Sequence, residues 1–532
     1  MRNLFLSSAG LALLAGAGWA ETTLHVLHIN DLHSRIEPIN AFDSTCSSED
    51  AAENKCFGGV ARVAAKIAEL RSALEAAGET VIVLDAGDQF QGSLMYSTYK
   101  GAVEAEMMER IGFDAMAVGN HEFDDGPEGL AGLLDKVTFP VVSGNIDVSA
   151  SNVLAGRVQD MVILDVGGER VGIVSALATD TPETSSPGPT VVFSDVIDSL
   201  KADVAVLEAA GVTKIIALTH VGYRKDQEIA AAVPGIDAVV GGHSHTYLSA
   251  SDPGRAGPYP TWVSQADGTL VPVVQAYAYS KYLGHLELTF DEAGELVYAG
   301  GDTLLLDASV TPDPAIEARI AELAGPIEEL RARVVAEAAA AIDGSRETCR
   351  AQECAMGNLV AEAMLDRVKD QGITIALQNG GGVRASIDAG PVTMGEVLTV
   401  LPFQNTLSTF QATGADVVAA LENGVSQIEE GAGRFPQVAG LKYTFDPARP
   451  AGSRVSDVLV RGQGEAWVPI DPVATYGVVS NNYVRGGGDG YKVFLAATNA
   501  YDFGPDLADV MAEYMAANEP FTPFTDGRIT RK

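Results

Sequence analysis

The segment VIVLDAGDQFQGS at residues 81–93 joins an apolar run to a turn that carries two aspartates. The run is rich in β-branched residues and predicts a buried strand over Val81–Leu84, with Asp85 and Asp88 where the strand ends. Gly87 lets the backbone come close to neighbouring loops just before Asp88. Similar apolar runs, each followed by polar residues, recur through the first half of the chain. This recurrence predicts a layered α/β domain.

Predicted strands and helices alternate on both sides of this segment. Their apolar periodicity predicts helices over Val60–Ala77 and Ala102–Ile111. Further strands are expected at Leu24–Asn30, Ala115–Val118, Val141–Val142, Val171–Ser175, Lys214–Leu218 and Ala238–Val240. The last two runs, Leu286–Phe290 and Leu296–Leu306, predict an antiparallel end to this domain.

The second half of the chain predicts another, smaller α/β domain. Met356–Asp370 has the periodicity of an amphipathic helix, and strands are expected at Ile373–Leu377 and Leu441–Phe445. A helix-rich segment that begins at a proline, residues 314–333, is expected to connect the two domains. The expected division of the chain is 1–20 as an export signal, 21–313 as the first domain, 314–333 as the linker and 334–532 as the second domain.

The N-terminus predicts an export signal. Arg2 gives a positive start, Leu4 to Ala15 form an apolar segment, and Gly18-Trp19-Ala20 places small residues where a signal peptidase acts. A membrane anchor is the alternative, but the apolar run is shorter than the roughly 20 residues that a span requires. We therefore expect a secreted, periplasmic protein without a membrane anchor.

The charge balance excludes some classes of partner. The chain has 35 basic and 71 acidic residues, a formal net charge of −36. Such a surface repels nucleic acid polymers and anionic membranes. An enzyme with this charge that acts on anionic small molecules needs positive charge concentrated at its site, and bound metal ions can supply it.

The four cysteines fall in two close pairs, Cys46 with Cys56 and Cys349 with Cys354. In an exported chain, an even count with this spacing favours two short-loop disulfides. A cysteine metal site is the alternative, and the absence of a CxxC spacing disfavours it.

Polar residues able to bind metal follow five of the predicted strands. These loops are Asp31-Leu32-His33, Asp85–Asp88, Gly119–Glu122, Thr219-His220 and Gly241–His245. They contain five of the eight histidines in the chain, and we expect them to converge because sites in α/β sheets form at the carboxyl ends of strands. Imidazole and carboxylate ligands without thiolate suit zinc, manganese, iron or cobalt, and Asp88 is the candidate to bridge two ions. The other histidines, His25, His28 and His285, lie inside strand-like runs and are expected to be structural.

The five motifs DLH, GDQFQGS, GNHEFD, TH and GGHSH together resemble the signature of calcineurin-like metallophosphoesterases. Their order and spacing are similar to those of the 5′-nucleotidase family, which includes bacterial periplasmic UDP-sugar hydrolases and animal ecto-5′-nucleotidase. The resemblance implies an α/β fold with an N-terminal layered α/β-β metallophosphoesterase domain and a smaller C-terminal α/β substrate-binding domain, joined by a helical linker. It covers nearly the whole chain after the export signal. The resemblance also implies that the second domain rotates to deliver substrate, with residues 314–333 as the hinge.

The resemblance also implies a set of ligands for two divalent ions, Zn, Mn, Co or Fe. One ion would be held by Asp31, His33, Asp88 and His245, and the other by Asp88, Asn120, His220 and His243. His121 and Asp124 match the catalytic pair of the family. In this role a charged His121 stabilises the transferring phosphoryl group and Asp124 orients it. Asp124 can alternatively, or in addition, cap the helix expected at Pro127–Leu134.

Motifs in the second domain resemble the segments of the family that bind substrate. QNGGGVR at residues 378–384 implies contacts from Asn379 and Arg384, and CR at residues 349–350 implies a phosphate contact from Arg350. LPF at residues 401–403 and NNY at residues 481–483 imply that Phe403 and Tyr483 stack on a base. Asp489, in GGGDGY, matches the residue that holds the ribose hydroxyls.

The resulting expectation is an exported two-metal hydrolase of nucleoside 5′-monophosphates, with UDP-sugars as a second candidate substrate. The alternatives are a 2′,3′-cyclic nucleotide phosphodiesterase with 3′-nucleotidase activity, a thiosulfohydrolase, and a non-catalytic nucleotide-binding protein. Phe403 and Tyr483 favour a nucleotide over a sulfur compound, and the complete set of ligand residues disfavours a non-catalytic protein. The choice between 5′ and 3′ esters, the metals and the oligomeric state stay open at this point.

Overall fold

The computed structural model describes residues 21–532, apart from residues 42, 44–45, 404, 462–465 and 503. The expected export signal, residues 1–20, lies outside the described residues. Within the described part of the chain, no helix combines the length and the apolar character needed to cross a bilayer.

The first domain alternates strands and helices, as the sequence predicts. Its strands are β1 (Thr22–Ile29), β2 (Thr80–Asp85), β3 (Ala115–Ala117), β4 (Val141–Val142), β5 (Ile146–Asp147), β6 (Met161–Val166), β7 (Glu169–Leu177), β8 (Val192–Phe193), β9 (Lys214–His220), β10 (Ala238–Gly241), β11 (Thr261–Ser264), β12 (Leu270–Val274), β13 (Tyr282–Phe290) and β14 (Leu296–Leu305). Its helices are α1 (Ser48–Ala52), α2 (Val60–Ala77), α3 (Leu94–Tyr99), α4 (Ala102–Ile111), α5 (Gly126–Leu134), α6 (Thr181–Thr184), α7 (Val196–Ala209) and α8 (Tyr223–Ala232).

Among the described residues, two six-stranded sheets form the centre of this domain, with the orders β14-β13-β1-β2-β3-β4 and β11-β12-β10-β9-β7-β6. Neighbours from β1 to β4 run parallel, and β13 and β14 are antiparallel, which confirms the expected end of the domain. The two sheets pack face to face through buried residues such as Val26 and Ile82 on one and Ile173 and Leu218 on the other. Parallel strands in a buried sheet explain why these segments are apolar on both faces.

Helices cover the outer face of each sheet. One face packs against α2, α4 and α5, with Ile67 and Met108 in the shared core, and the other packs against α7 and α8, with Leu200 and Ile229. The layer order is therefore helix, sheet, sheet, helix. This arrangement confirms the layered α/β-β class expected for the first domain.

The helix α9 (Pro314–Ala332) connects the two domains. Its apolar side, including Ile320 and Leu323, is buried in the core of the first domain. Near its end, Arg331 forms an ion pair of 2.7 Å with Glu37 of the first domain. The connecting helix thus packs against the first domain, and Arg331 near its end also lies close to Gly395 of the second domain.

The second domain is smaller and also mixes strands and helices. Its strands are β15 (Val334–Ala338), β16 (Ile375–Asn379), β17 (Gly390–Thr393), β18 (Leu407–Thr413), β19 (Pro436–Ala439), β20 (Leu441–Phe445), β21 (Val455–Arg461), β22 (Trp467–Pro469), β23 (Thr475–Asn481), β24 (Thr498–Tyr501) and β25 (Ile529–Arg531). Its helices are α10 (Arg346–Cys349), α11 (Ala355–Val368), α12 (Met394–Val400), α13 (Gly414–Gly424), α14 (Asn482–Arg485) and α15 (Leu507–Ala517). The central sheet has the order β19-β16-β23-β18-β24 and packs against α11 on one side and α13 on the other.

Both cysteine pairs form disulfides, Cys46 with Cys56 and Cys349 with Cys354, as their spacing predicts. The second disulfide closes the short segment that carries Arg350, and Cys354 is the N-cap residue of α11. The cross-link therefore attaches the loop of Arg350 to the start of a buried helix.

The three histidines expected to be structural lie in β1 and β13. His28 Nε2 is 2.8 Å from the hydroxyl of Tyr259, and His25 Nδ1 is 3.0 Å from His285 Nε2. Burial lowers the pKa of His28 to about 3, so its imidazole is neutral inside the sheet.

Candidate active site

The five loops converge where parallel strands of the two sheets end. Asp31 and His33 follow β1, Asp88 follows β2, Asn120 follows β3, His220 ends β9, and His243 and His245 follow β10. Three groups of side chains have ligand atoms within 4.8 Å of one another: Asp31 with His33 and His245; His33 with Asp88 and His121; and Asp88 with His220 and His243. Asn120 joins the same cluster, with its Oδ1 2.9 Å from His243 Nδ1.

Left-handed backbone conformations direct these side chains inward. Asp31, His33, Asp88, His243 and His245 all have positive φ angles, between 50° and 73°. Such conformations cost an L-residue about 1–3 kcal/mol each and persist only where the surroundings fix them. Hydrogen bonds between the loops provide this constraint: the backbone N–H of Asp31 donates to Gly87 O (2.9 Å) and that of His33 to Asp88 O (3.0 Å).

Two glycines permit the close approach of the loops after β2 and β3. A Cβ on Gly87, which has φ 88°, would lie 2.8 Å from the backbone N of Gly119. A Cβ on Gly119 would collide with the backbone N and Oδ1 of Asp88. The sequence argument for Gly87 is thus supported by the geometry, and Gly119 is needed for the same reason.

The buried carboxylate of Glu122 fastens the same two loops. It accepts hydrogen bonds from the backbone N–H groups of Asp88 (3.1 Å), Gln89 (2.8 Å), Phe90 (3.2 Å) and Gly119 (2.7 Å). Sequence reasoning missed this role, although Glu122 lies within the motif GNHEFD. A carboxylate that accepts hydrogen bonds from a distant loop leaves no local pattern in the sequence, so the only available signal was the position of Glu122 within the motif GNHEFD.

Asp88 lies at the centre of the cluster. Its Oδ2 is 3.0 Å from His220 Nε2 and 3.7 Å from His33 Nε2. Its Oδ1 accepts a hydrogen bond of 2.8 Å from the backbone N–H of His121. One carboxylate oxygen therefore faces histidines from both of the expected ligand groups, which is the position that a bridging ligand requires.

The orientation of the imidazoles fits the binding of cations. His220 Nδ1 donates to Ala86 O (2.6 Å), and its buried Nε2 has no hydrogen-bond partner among the described residues although it faces Asp88. His33 Nε2 and His245 Nε2 approach each other to 2.9 Å. Burial disfavours charge on His220, but Asp88 outweighs it and raises the pKa of the imidazole to about 10. The pocket thus favours positive charge between these atoms, and nitrogen and oxygen donors of this kind suit divalent transition metals.

His121 and Asp124 form a pair at the edge of the cluster. His121 Nδ1 is 2.7 Å from Asp124 Oδ2. Burial opposes the charged imidazole, but the carboxylates of Asp124 and Asp88 outweigh it and raise the pKa of His121. The expectation that Asp124 caps a helix is wrong: α5 begins after Asp125, and both carboxylate oxygens of Asp124 are engaged by His121 and Ser185.

The second domain completes a cavity of about 830 Å³ over this cluster. All six residues expected to contact substrate line it: Arg350, Asn379, Arg384, Phe403, Tyr483 and Asp489. Arg384 Nη2 is 3.3 Å from His33 Nε2, and the ring of Phe403 lies 5.9 Å from that of His121. Farther in, Asn379 Nδ2 donates to Asp489 Oδ2 (2.6 Å). The structure thus brings the six expected substrate contacts and five of the seven expected metal ligands to one cavity, while Asp31 and His220 belong to the same cluster without lining the cavity.

Comparison with known proteins places the chain in a family. A model of calcineurin-like phosphoesterases matches residues 24–247, and a model of the 5′-nucleotidase C-terminal domain matches residues 334–496. A 5′-nucleotidase of Diplobatis ommata is 38% identical to the chain, and the alignment covers 98% of the chain and 93% of the relative. The 5′-nucleotidase of Homo sapiens is 37% identical with the same coverage. The chain belongs to the 5′-nucleotidase family.

Solved structures agree with this membership. The 5′-nucleotidase precursor of Thermus thermophilus superposes with a TM-score of 0.90 at 42% identity, over 96% of this chain and 99% of that one. A sulfate thiohydrolase from the same genus shares the fold, with a TM-score of 0.79 over 96% of both chains, at only 19% identity. The fold alone therefore does not decide the substrate. As a member of the 5′-nucleotidase family with a metallophosphoesterase domain, the protein is a metal-dependent phosphoester hydrolase.

Arg346 also lines the cavity of this 5′-nucleotidase family member, and it was not predicted from the sequence as a site residue. Arg346 lies four positions before Arg350, at the start of the short helix α10. Burial and the neighbouring guanidiniums of Arg346 and Arg384 lower the pKa of Arg350. Buried Arg350, together with the half-buried Arg346 and Arg384 in the same cavity, favours an anionic ligand. The spacing of four residues was the available signal, since such residues share one face of a helix.

Proposed function

We propose that the protein is an exported 5′-nucleotidase that uses two divalent ions to remove phosphate from nucleoside 5′-monophosphates. The observation that carries the proposal is the single cavity that holds a cluster of metal-binding side chains on one wall and Phe403, Tyr483 and Asp489 on the other. A phosphatase without specificity for nucleosides has no need of the second wall.

The ligands are assigned as the sequence implies. Asp31, His33, Asp88 and His245 would hold one ion, and Asp88, Asn120, His220 and His243 would hold the other. When bound, the ions would polarise the phosphoryl oxygens as Lewis acids and lower the pKa of water, so that a nucleophile would be available near neutral pH. The central position of the Asp88 carboxylate, between His33 and His220, supports its role as the shared ligand.

His121 acts as a charged donor to the phosphoryl oxygens in the transition state. Its Nδ1 contacts Asp124, so Nε2 is the nitrogen that faces the substrate. Asp124 fixes the ring orientation and favours the imidazolium through its negative charge. The pair thus supplies a positive group that is held in place before the reaction begins.

The second domain supplies recognition. Arg350 and Arg384 grip the phosphate, and the position of Arg384 beside His33 places that grip next to the metal cluster. Phe403 and Tyr483 stack on the two faces of the base, which accounts for binding with little preference among bases. Asp489 holds the ribose hydroxyls and is itself oriented by Asn379.

Several finer features complete the proposal. Residues 1–20 direct export to the periplasm, residues 21–313 and 334–532 are the two domains, and residues 314–333 act as the hinge on which the second domain moves. UDP-sugars are a second class of substrate, because a cavity of about 830 Å³ admits more than a mononucleotide.

The test is a panel of substrates with the purified mature protein, loaded with Zn²⁺, Mn²⁺ or Co²⁺. Phosphate or nucleotide release is measured from 5′-AMP, 3′-AMP, 2′,3′-cyclic AMP and UDP-glucose, and sulfate release from a thiosulfate conjugate. We expect the highest kcat/KM on 5′-AMP, measurable activity on UDP-glucose and none after treatment with a chelator. Faster hydrolysis of 3′-AMP, cyclic AMP or the thiosulfate conjugate would contradict the proposed specificity.

A further inference from the structure

We propose that Ser185 is a positioning residue for the reaction and acts on His121 through Asp124. The proposal rests on the function proposed above, because it concerns the same catalytic pair. Ser185 lies in neither the metal cluster nor the motifs of the second domain.

The hydrogen bonds around Asp124 carry the inference. Ser185 Oγ donates to Asp124 Oδ1 at 2.7 Å, and the other oxygen, Oδ2, is 2.7 Å from His121 Nδ1. With one partner on each oxygen, the carboxylate cannot rotate without losing a hydrogen bond. A neutral hydroxyl orients the carboxylate without adding a second positive group, so Asp124 keeps its full charge for His121. Ser185 therefore fixes the direction from which Asp124 meets the imidazole.

The segment that carries Ser185 is itself held at both ends. It follows β7 and contains the short helix α6, in which the backbone N–H of Ser185 donates to Thr181 O (2.8 Å). The buried Thr181 hydroxyl donates in turn to Ala178 O (2.7 Å). These bonds fix the backbone that carries the Ser185 side chain, as a positioning role requires.

The same segment contacts the other domain. Helix α6 packs against the turn Gly488–Gly490, which carries Asp489. The segment that carries Ser185 therefore lies between the turn of Asp489 and the Asp124–His121 pair.

The experiment compares the wild type with Ser185→Ala, using 5′-AMP and saturation kinetics. We expect kcat to fall roughly 10-fold, the size of one lost hydrogen bond to a charged group, while KM changes less than about 2-fold. Ser194→Ala removes an exposed hydroxyl nine residues further along the chain and serves as the matched control, with wild-type kcat expected. A kcat of Ser185→Ala within about 2-fold of wild type would overturn the proposal.

A double-mutant cycle separates positioning from a general structural effect. In an Asp124→Ala background the Ser185→Ala change should cost less than about 2-fold in kcat, because its target is gone. An undiminished loss of about 10-fold in that background would show that Ser185 acts elsewhere and overturn the proposal. If Asp124→Ala does not fold, as judged by thermal unfolding, His121→Ala serves as the background with the same two outcomes.

The experiment distinguishes a failure of the Ser185 proposal from a failure of the proposed function. If the wild type hydrolyses no 5′-nucleotide, the specificity proposal fails, and the same cycle is measured with p-nitrophenyl phosphate, which needs His121 and Asp124 but no nucleoside contacts. Equal kcat for wild type and Ser185→Ala on that substrate would overturn the role of Ser185 on its own.

Discussion

Five of the seven expected metal ligands have left-handed backbone conformations, whereas Asp489 alone does among the six expected substrate contacts. The loops that carry the expected metal ligands form the metal wall of the cavity, and the expected substrate contacts of the second domain form its substrate wall. On the metal wall the loops are hydrogen-bonded to one another, as in the bond from His33 N–H to Asp88 O. On the substrate wall the groups are oriented mainly by side chains, as in the bond from Asn379 to Asp489. One wall is thus fixed by the backbone of a single domain, and the other is assembled from side chains on a second domain.

Among the described residues, few hydrogen bonds join the metal wall to the substrate wall. Gln91 Nε2 donates to Pro402 O at 3.3 Å, next to Phe403, and Arg384 reaches His33. The left-handed backbone conformations of the metal wall persist only because the surrounding structure fixes them. Substitutions on the metal wall should therefore abolish activity. A substitution on the substrate wall should instead weaken substrate recognition only by the contribution of the single contact that it removes. The predictions below test this difference, beginning with the largest effect.

Asp88→Asn should abolish the binding of at least one ion and lower kcat/KM by at least about 10³-fold, because several kcal/mol of metal-derived charge stabilisation depend on the bridge. The amide would place either N–H donors or an uncharged oxygen, which is a weaker metal ligand, opposite His220 and His33. Metal analysis of the purified variant by mass spectrometry checks the first effect and phosphate release checks the second. Retention of both ions at full occupancy would rule out Asp88 as the shared ligand.

His121→Ala should lower kcat by about 10²–10³-fold with little change in KM, because His121 is proposed to stabilise the transition state rather than bound substrate. The metal content should stay at the wild-type level. His285→Ala, a histidine on β13 that bonds to His25, is the matched control and should keep wild-type kcat. Equal kcat for His121→Ala and wild type would remove His121 from the mechanism.

Phe403→Ala should lower kcat/KM for 5′-AMP by roughly 5- to 100-fold, the range given by about 1–3 kcal/mol for one stacked base. Hydrolysis of p-nitrophenyl phosphate, which has no base, should change much less. Steady-state kinetics on both substrates measure the difference. Equal losses on the two substrates would mean that Phe403 supports the metal wall, which its ring reaches at His121, rather than the base.

The metal wall could be predicted from the sequence because each element carries a local signal. Apolar runs mark the strands, and the rule that sites form at carboxyl ends of parallel strands brings Asp31, Asp88 and His220 together. Periodicity gave the helices Val60–Ala77 and Ala102–Ile111 with the bounds that the structure has. Spacing likewise gave both disulfides.

Three residues of the site had little or no such signal, and for Arg346 it was only the spacing of four residues from Arg350. Glu122 accepts from amides in a different loop, Ser185 reaches Asp124 from 61 positions away, and Arg346 joins a cluster that only the folded second domain creates. The helix-cap expectation for Asp124 failed for a related reason, because its oxygens were already used by His121 and Ser185 in three dimensions. Local patterns predict where groups lie along the chain but not which distant group occupies their hydrogen bonds.

Tyr483→Phe is the mildest test and addresses how the substrate wall is oriented. The hydroxyl of Tyr483 accepts from the backbone N–H of Asp489 (3.2 Å) and lies 3.4 Å from Asp489 Oδ1. Phenylalanine keeps the stacking face and removes the hydroxyl that contacts Asp489. Loss of a net contribution of about 0.5–1.5 kcal/mol, the worth of one neutral hydrogen bond, should lower kcat/KM for 5′-AMP by about 2- to 10-fold.

The 2′,3′-dideoxy analogue of 5′-AMP lacks both hydroxyls that Asp489 is proposed to hold, so its kcat/KM should not change. An equal loss on the analogue would place the effect at the base, and an unchanged kcat/KM for 5′-AMP would show that Asn379 alone suffices to orient Asp489.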